Sequence, residues 1–313
     1  MPRGPALGSQ KPLSNAVRAV TFLDFYRSCD GRRVLLYQAL GLAASAIALS
    51  LSLGDGRLDL TIARWFFDDA RRIFPLTNQW LLKTLLHDVV RTTSAVAALA
   101  LLGLTITSWV TPSLRAVRAH REMLLFTAVA ALAAAAIVGA MKHLSSHACP
   151  WDLAIFGGSA VYDLLGASVA SPSVEGCLPA AHPVAGYAWL AVGFALYPSA
   201  RRRAWQTWAL AFALGTVCGA VQIVRGAHFL SHVLWSAWVV WAVNVVLITA
   251  FVAVQRSAQN CTPCAARNRS ASSPWSSANV ASMPASVQVA AATVTERGAP
   301  TTGQPVVGSR MWP

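Results

Sequence analysis

The chain predicts an all-α, polytopic membrane protein built as a six-helix transmembrane bundle, and three observations carry that fold class. Only 12% of its 313 residues are charged, against 55% hydrophobic, where a soluble domain would carry about 25% charged residues. Apolar runs long enough to cross a ~30 Å hydrocarbon layer, about 20 residues each, recur through the first 254 residues. Lys and Arg collect in alternate connections between those runs, the pattern that orients membrane proteins. The composition excludes an ordinary soluble enzyme and a chain dominated by disorder. Length alone allows one or two domains.

The first run, Val34–Leu53, follows Arg32 and Arg33. It begins well inside the chain and lacks a small-residue cleavage site before Asp55, so it reads as a retained helix and not a removed signal. Leu58–Phe67 is short and aromatic. It suits an amphipathic helix on the outer leaflet with Trp65 at the interface or, equally, a helix packed into the loop. Thr92–Val110 follows Asp88 and Arg91. Met123–Met141, Pro183–Ala200, Trp205–Val224 and Phe229–Val254 complete the six, with Arg201, Arg202 and Arg203 punctuating the fourth and fifth. From about Gln255 the sequence turns to Ser, Ala, Thr, Pro and Gly without periodicity, a composition that cannot bury a core. The expected organisation is a cytoplasmic N-terminal segment (1–33), a six-span membrane domain (34–254) and a disordered cytoplasmic tail (255–313). No internal repeat stands out.

The net charge of +13, from 25 Lys+Arg against 12 Asp+Glu, divides unevenly across the spans. Seventeen basic residues fall in the two tails and the second and fourth connections, eight in the others; the acidic residues run the other way, four against eight. Both termini are therefore expected in the cytoplasm. The basic excess is an orientation signal. A nucleic-acid partner would need a basic face with interleaved aromatics, and none is visible.

Six of the seven histidines fall on or beside the outer connections: His87, His143, His147, His182, His228 and His232. Ionisable groups near membrane spans are costly and tend to mark function. Three clusters gather there. Lys142 opens a run with His143, His147, Cys149, Pro150, Trp151 and Asp152; its ammonium can serve as a point charge for phosphate or snorkel from the end of the span. Cys177-Leu-Pro-Ala180-Ala181-His182-Pro183 enters the fourth span. Pro183 suits the first helical position, so the preceding backbone N–H groups face a positive helix end that favours anions. Gln222-Ile-Val-Arg225-Gly-Ala-His228-Phe-Leu-Ser-His232 joins the fifth and sixth spans, and in a helix His228 and His232 share a face with Arg225. Together the clusters offer Lys, Arg, backbone N–H groups and three histidines. A neutral imidazole can attack phosphorus, a protonated one can protonate the departing oxygen, and Lys and Arg can stabilise the charge without a metal.

Motif order and spacing resemble the type 2 phosphatidic-acid phosphatase superfamily, whose pattern is Lys-x6-Arg-Pro, Pro-Ser-Gly-His and Ser-Arg-x5-His-x3-Asp. Lys142-x6-Cys149-Pro150, Pro179-Ala180-Ala181-His182 and Gln222-x5-His228-x3-His232 resemble the three parts, over roughly residues 34–254. The resemblance implies His228 as nucleophile, His182 as the acid on the leaving group, and Lys142 as a phosphate ligand beside the Ala180 and Ala181 backbone. Cys149 and Gln222 stand where the family has arginines, His232 where it has the Asp that orients the nucleophile, and Ala180-Ala181 where it has Ser-Gly. Arg225 is close enough to replace a lost arginine, and His232 could accept the Nδ1 proton of His228. Gln222 offers no charge, so phosphate is held less strongly than by two guanidinium forks.

Cys149 and Cys177 are the only cysteines in the outer connections. An oxidising periplasm permits a disulfide between them, which would hold Lys142 and His182 on one rim; two unpaired thiols are the alternative. Cys29 and Cys218 are expected reduced, and Cys261-x2-Cys264 has no second pair to complete a metal site. The expectation is a bacterial inner-membrane lipid phosphatase or phosphotransferase, metal-independent and without cofactor, acting on a lipid phosphate or diphosphate at the periplasmic face through a phosphohistidine. Two other readings use the same residues. One is a metal-dependent membrane hydrolase, with His228 and His232 as a ligand pair and His182 or a third His completing it. The other is an inactive lipid-binding or transport protein on the same fold.

Overall fold

The computed structural model describes residues 22–161 and 176–271. Their architecture is all-helical, with two isolated β-bridges and no strand. Five helices are long and apolar enough to cross a membrane: α2 (Cys29–Leu53), α4 (Val90–Thr107), α6 (Arg121–Leu144), α9 (Arg201–Val224) and α10, whose apolar part is Leu230–Val254 of Leu230–Ala271. Shorter helices are α1 (Phe22–Arg27), α3 (Arg57–Arg64), α5 (Arg115–Ala119), α7 (Val184–Tyr187) and α8 (Leu190–Leu196). The described residues up to Ala253 belong to one compact unit, and those from Val254 belong to a second. The expected tail beyond 271, the first 21 residues, and Asp163 and Glu175 of the long outer connection lie outside the described residues.

The fourth apolar run departs from the expected single span. It is short and broken into α7 and α8, and most of its residues are buried. The Ser94 hydroxyl of α4 donates to the Ala185 carbonyl (2.8 Å), the acceptor a regular helix would offer to the Trp189 N–H. That N–H turns instead to the Gly186 carbonyl (3.2 Å), a tighter i→i−3 bond. The Trp189 indole closes the group by donating to Ser94 Oγ (3.0 Å). Gly186 and Gly215 allow α7 and α9 to touch backbone to backbone, since a Cβ on Gly186 would overlap the Gly215 main chain.

Helix α2 starts five residues before the expected Val34, because Ser28 caps it by accepting from the Gly31 N–H (3.1 Å). Its outer surface carries Leu36, Tyr37, Leu40, Ile47 and Leu51, all exposed, as a lipid-facing stripe requires. Before it, α1 buries Phe22, Leu23 and Tyr26 against α6, α8 and α10, with the Tyr26 hydroxyl donating to the Phe194 carbonyl (2.8 Å). At the opposite end of the bundle, α3 is packed into its loop. Asp59 and Ala63 are buried while Trp65 stands 71% exposed. The Phe67, Phe74 and Phe156 rings, with centroids 5.1–5.4 Å apart, form a small core under that end.

Candidate active site

Three polar chain segments meet at the end of the bundle where α6 and α9 finish and α7 and α10 begin. Helix α9 stops at Arg225 because Gly226 takes a left-handed conformation, φ +74°. The Gly226 N–H bonds the Ile223 carbonyl (2.9 Å) and the Ala227 N–H the Gln222 carbonyl (2.9 Å), a Schellman ending. The His228 N–H also reaches the Gln222 carbonyl (3.3 Å). His228 therefore sits in the turn between two helices, and the expected shared helical face of Arg225, His228 and His232 is corrected: the left-handed residue breaks the helix between them. Helix α10 then starts at Leu230, where the Asp59 carboxylate of α3 accepts from the Ser231 N–H (2.9 Å).

The segments are tied together through their backbones. Cys149 and Cys177 form a disulfide, with Cα atoms 5.3 Å apart. The Cys177 N–H donates to the His147 carbonyl (2.8 Å), the Trp151 N–H to the Gly226 carbonyl (3.0 Å), and the Ala180 N–H to the His232 carbonyl (3.1 Å). The buried Ser236 hydroxyl lies between the Ala180 and His232 carbonyls (2.6 and 2.8 Å).

Four imidazoles result in a row. Ring centroids are 6.0 Å apart for His182 and His228, 5.8 Å for His228 and His232, and 6.4 Å for His147 and His232. His228 is buried, 3% exposed. Burial, then the neighbouring His232, His182 and Lys142, hold its pKa well below the usual imidazole value; a hydrogen bond to the Cys177 carbonyl acts in the other direction. His228 is thus neutral near pH 7. Its Nδ1 lies 3.4 Å from Cys177 Sγ. A disulfide sulfur has no proton to give, so this contact is a hydrogen bond only in the tautomer whose Nδ1 carries the hydrogen, which leaves the Nε2 lone pair free.

Gln222 and Arg225 are both buried, 1% and 6% exposed. Arg225 donates from Nε to the Thr77 carbonyl (3.0 Å) and from Nη1 to Gln222 Oε1 (3.1 Å). That second bond fixes the amide, and Gln222 Nε2 remains buried without a hydrogen-bond partner. Lys142, in the last turn of α6, is close enough to His228 to act on its charge. Beside the site, a recess of about 490 Å³ is lined by Met141, Leu144, Leu178, Pro179, Trp235 and Val239 with His147.

Residues 123–256, which hold all three segments, match the family model described as PAP2 superfamily. This segment is of the PAP2 superfamily type. No curated protein and no solved structure matches it. This match and the apolar helices together support a multi-pass, phosphatase-type membrane protein.

Of the residues expected from the motifs, the structure places His182 beside His228, His228 beside His232, Lys142 near enough to act on the charge of His228, Ala180 against the His232 carbonyl, and Arg225 against Gln222. Two expected details change. Ala180 does not offer its N–H to an anion, because the His232 carbonyl already takes it. The atom at His228 Nδ1 is a sulfur and not a nitrogen of His232, whose own Nδ1 is buried without a hydrogen bond. Asp59, Thr77 and Ser236 support the site with no motif to announce them. His147, singled out among the outer-connection histidines, extends the row with no part in the family pattern.

Proposed function

We propose that this protein is a lipid phosphatase or phosphotransferase of a bacterial inner membrane, acting without metal on a lipid phosphate or diphosphate at the periplasmic face. The observation that carries the reading is the facing pair His228 and His182, at 6.0 Å between ring centroids, with Lys142 beside them. His228 Nε2 attacks phosphorus and the bond to the lipid oxygen breaks. The departing oxygen takes its proton from His182. Water, deprotonated by the now neutral His182, or an acceptor lipid then discharges the phosphohistidine. Lys142, the Gln222 amide and the remaining Arg225 donors face the phosphoryl charge, and the preorganised positive groups do the work a metal does elsewhere.

Two features support a lipid substrate. The site lies at the mouth of a helical bundle, and the recess beside it is walled mostly by apolar side chains, suited to an acyl or prenyl chain. The basic residues favour cytoplasmic termini, which puts this end outside. The test is phosphate release by purified protein from a panel of isoprenoid diphosphate, phosphatidate, phosphatidylglycerophosphate and lipid A. Release that vanadate blocks and a chelator leaves unchanged is expected. Equal release by the His228→Ala protein refutes the assignment.

A further inference from the structure

Cys177 Sγ, a ring nitrogen of His228 and a ring nitrogen of His232 lie within 4.8 Å of one another, all in buried residues. The first two, Sγ and Nδ1, are 3.4 Å apart. That is about the spacing of two ligands on one tetrahedral zinc, given Zn–S near 2.3 Å and Zn–N near 2.0 Å. His232 is 3% exposed and its Nδ1 makes no hydrogen bond, so the cluster contains an unused buried donor. What withholds a Cys-His-His set from a metal is the bond from Cys177 to Cys149, because the sulfur ligand of metals is the thiolate.

We propose that reduction of the Cys149–Cys177 disulfide turns Cys177, His228 and His232 into a site for zinc or a similar borderline-soft divalent ion, and that the metal silences His228. A dithiol reductant supplies two electrons and two protons. The S–S bond breaks, both cysteines become thiols, and the reductant leaves as its own disulfide. The incoming ion then displaces the Cys177 thiol proton to solvent and takes lone pairs from His228 and His232, leaving a fourth position for water. The Cys177 backbone stays in place through its hydrogen bond to His147 (2.8 Å). A neutral imidazole metallated at Nδ1 carries its proton on Nε2, so the lone pair needed to attack phosphorus is gone. The disulfide is thus a guard: it sets the reactive tautomer and denies a metal its third ligand. The effect on activity rests on the phosphohistidine reading, while metal binding does not.

Cobalt(II) is the probe, added to the full-length protein in detergent. Wild type treated with dithiol and then freed of it binds one equivalent, with a thiolate-to-cobalt charge-transfer band that zinc abolishes. Cys149→Ser gives the same band without reductant. Oxidised wild type and reduced Cys177→Ser give none. Zinc stops phosphate release only in the states that show the band, and a chelator restores it. Absence of the band from reduced wild type overturns the proposal, as does a band that persists in reduced Cys177→Ser. A band with these dependences in a protein that releases no phosphate in any state retains the metal site and rejects the enzymatic reading.

Discussion

His228 Nδ1 lies 3.4 Å from the Sγ of Cys177. The two residues are 51 positions apart in sequence, and one of them is already committed to a disulfide. A carboxylate at this nitrogen would orient the ring and also stabilise positive charge on it; a sulfur does the first and little of the second. In the proposed mechanism the site therefore depends on a neutral nucleophile and on groups that face the phosphate.

Replacing either facing histidine separates the proposed roles. His228→Ala is expected to remove phosphate release completely. His182→Ala is expected to slow it about 10²- to 10⁴-fold, the usual worth of a positioned acid, with much less loss on a substrate whose leaving group needs no proton, such as p-nitrophenyl phosphate. An equal loss on both substrates would deny His182 the acid's role.

The pH dependence follows from the low pKa of His228, caused first by burial and then by its charged and imidazole neighbours. Burial lowers His147 as well. In the unfolded chain both return to their ordinary value of 6.5, so below that pH the unfolded state binds more protons than the folded one. Their contribution to stability is complete above about pH 6.5 and is lost as pH falls towards the lower folded values. The acid limb of kcat/KM should likewise fall below pH 6.5. Rate profiles and thermal unfolding from about pH 8 to pH 5 check both; an acid limb above 6.5 would contradict a neutral buried nucleophile.

The disulfide closes a sequence separation of 28 residues. Its reduction should lower stability by about 2–4 kcal/mol, read as a fall in Tm in detergent. Non-reducing mass spectrometry should recover one linked peptide pair containing Cys149 and Cys177.

Asp59 reaches across from α3 to cap α10, and its carboxyl is pushed up by burial and held down by bonds from Ser231 and Leu230. Asp59→Ala should cost about 1–3 kcal/mol, the range for a lost cap with a stranded donor. Asp59→Asn keeps an acceptor and should cost less. Chemical unfolding of the two proteins side by side decides; equal losses would remove the capping argument.

Gly226→Ala strains a backbone at φ +74° and drives a methyl group into the Phe74 ring. A loss of about 1–3 kcal/mol is expected. Phosphate release should fall with it, because the same turn places His228. A fully active and stable variant would show that the left-handed turn is not required.

The helical bundle and the three polar clusters were legible because lipid demands long apolar runs and because each polar or charged residue near a span stands out. Lys142, His182 and His228 were legible one by one for that reason. The sequence did not disclose which atom meets His228 Nδ1, since His232 lies four residues away and Cys177 fifty-one. Nor did it show that Ala180 would spend its N–H on the His232 carbonyl. The division of the fourth run was hidden too, because the hydroxyl responsible, Ser94, belongs to another helix. Helix α1 escaped notice because six residues are too few for periodicity to register.

The shortness of α7 and α8 has a consequence for how the protein is made. A segment with so few apolar residues gains little from lipid alone. What holds it lies on both sides in sequence: Ser94 and α6 before it, Gly215 and Trp208 of α9 after it, with the Trp208 indole donating to the Leu190 carbonyl (3.1 Å). Its partners on α9 and α10 do not exist when it leaves the ribosome. The rim that carries His182 is therefore completed late in synthesis, once α9 has emerged to lock the segment from behind.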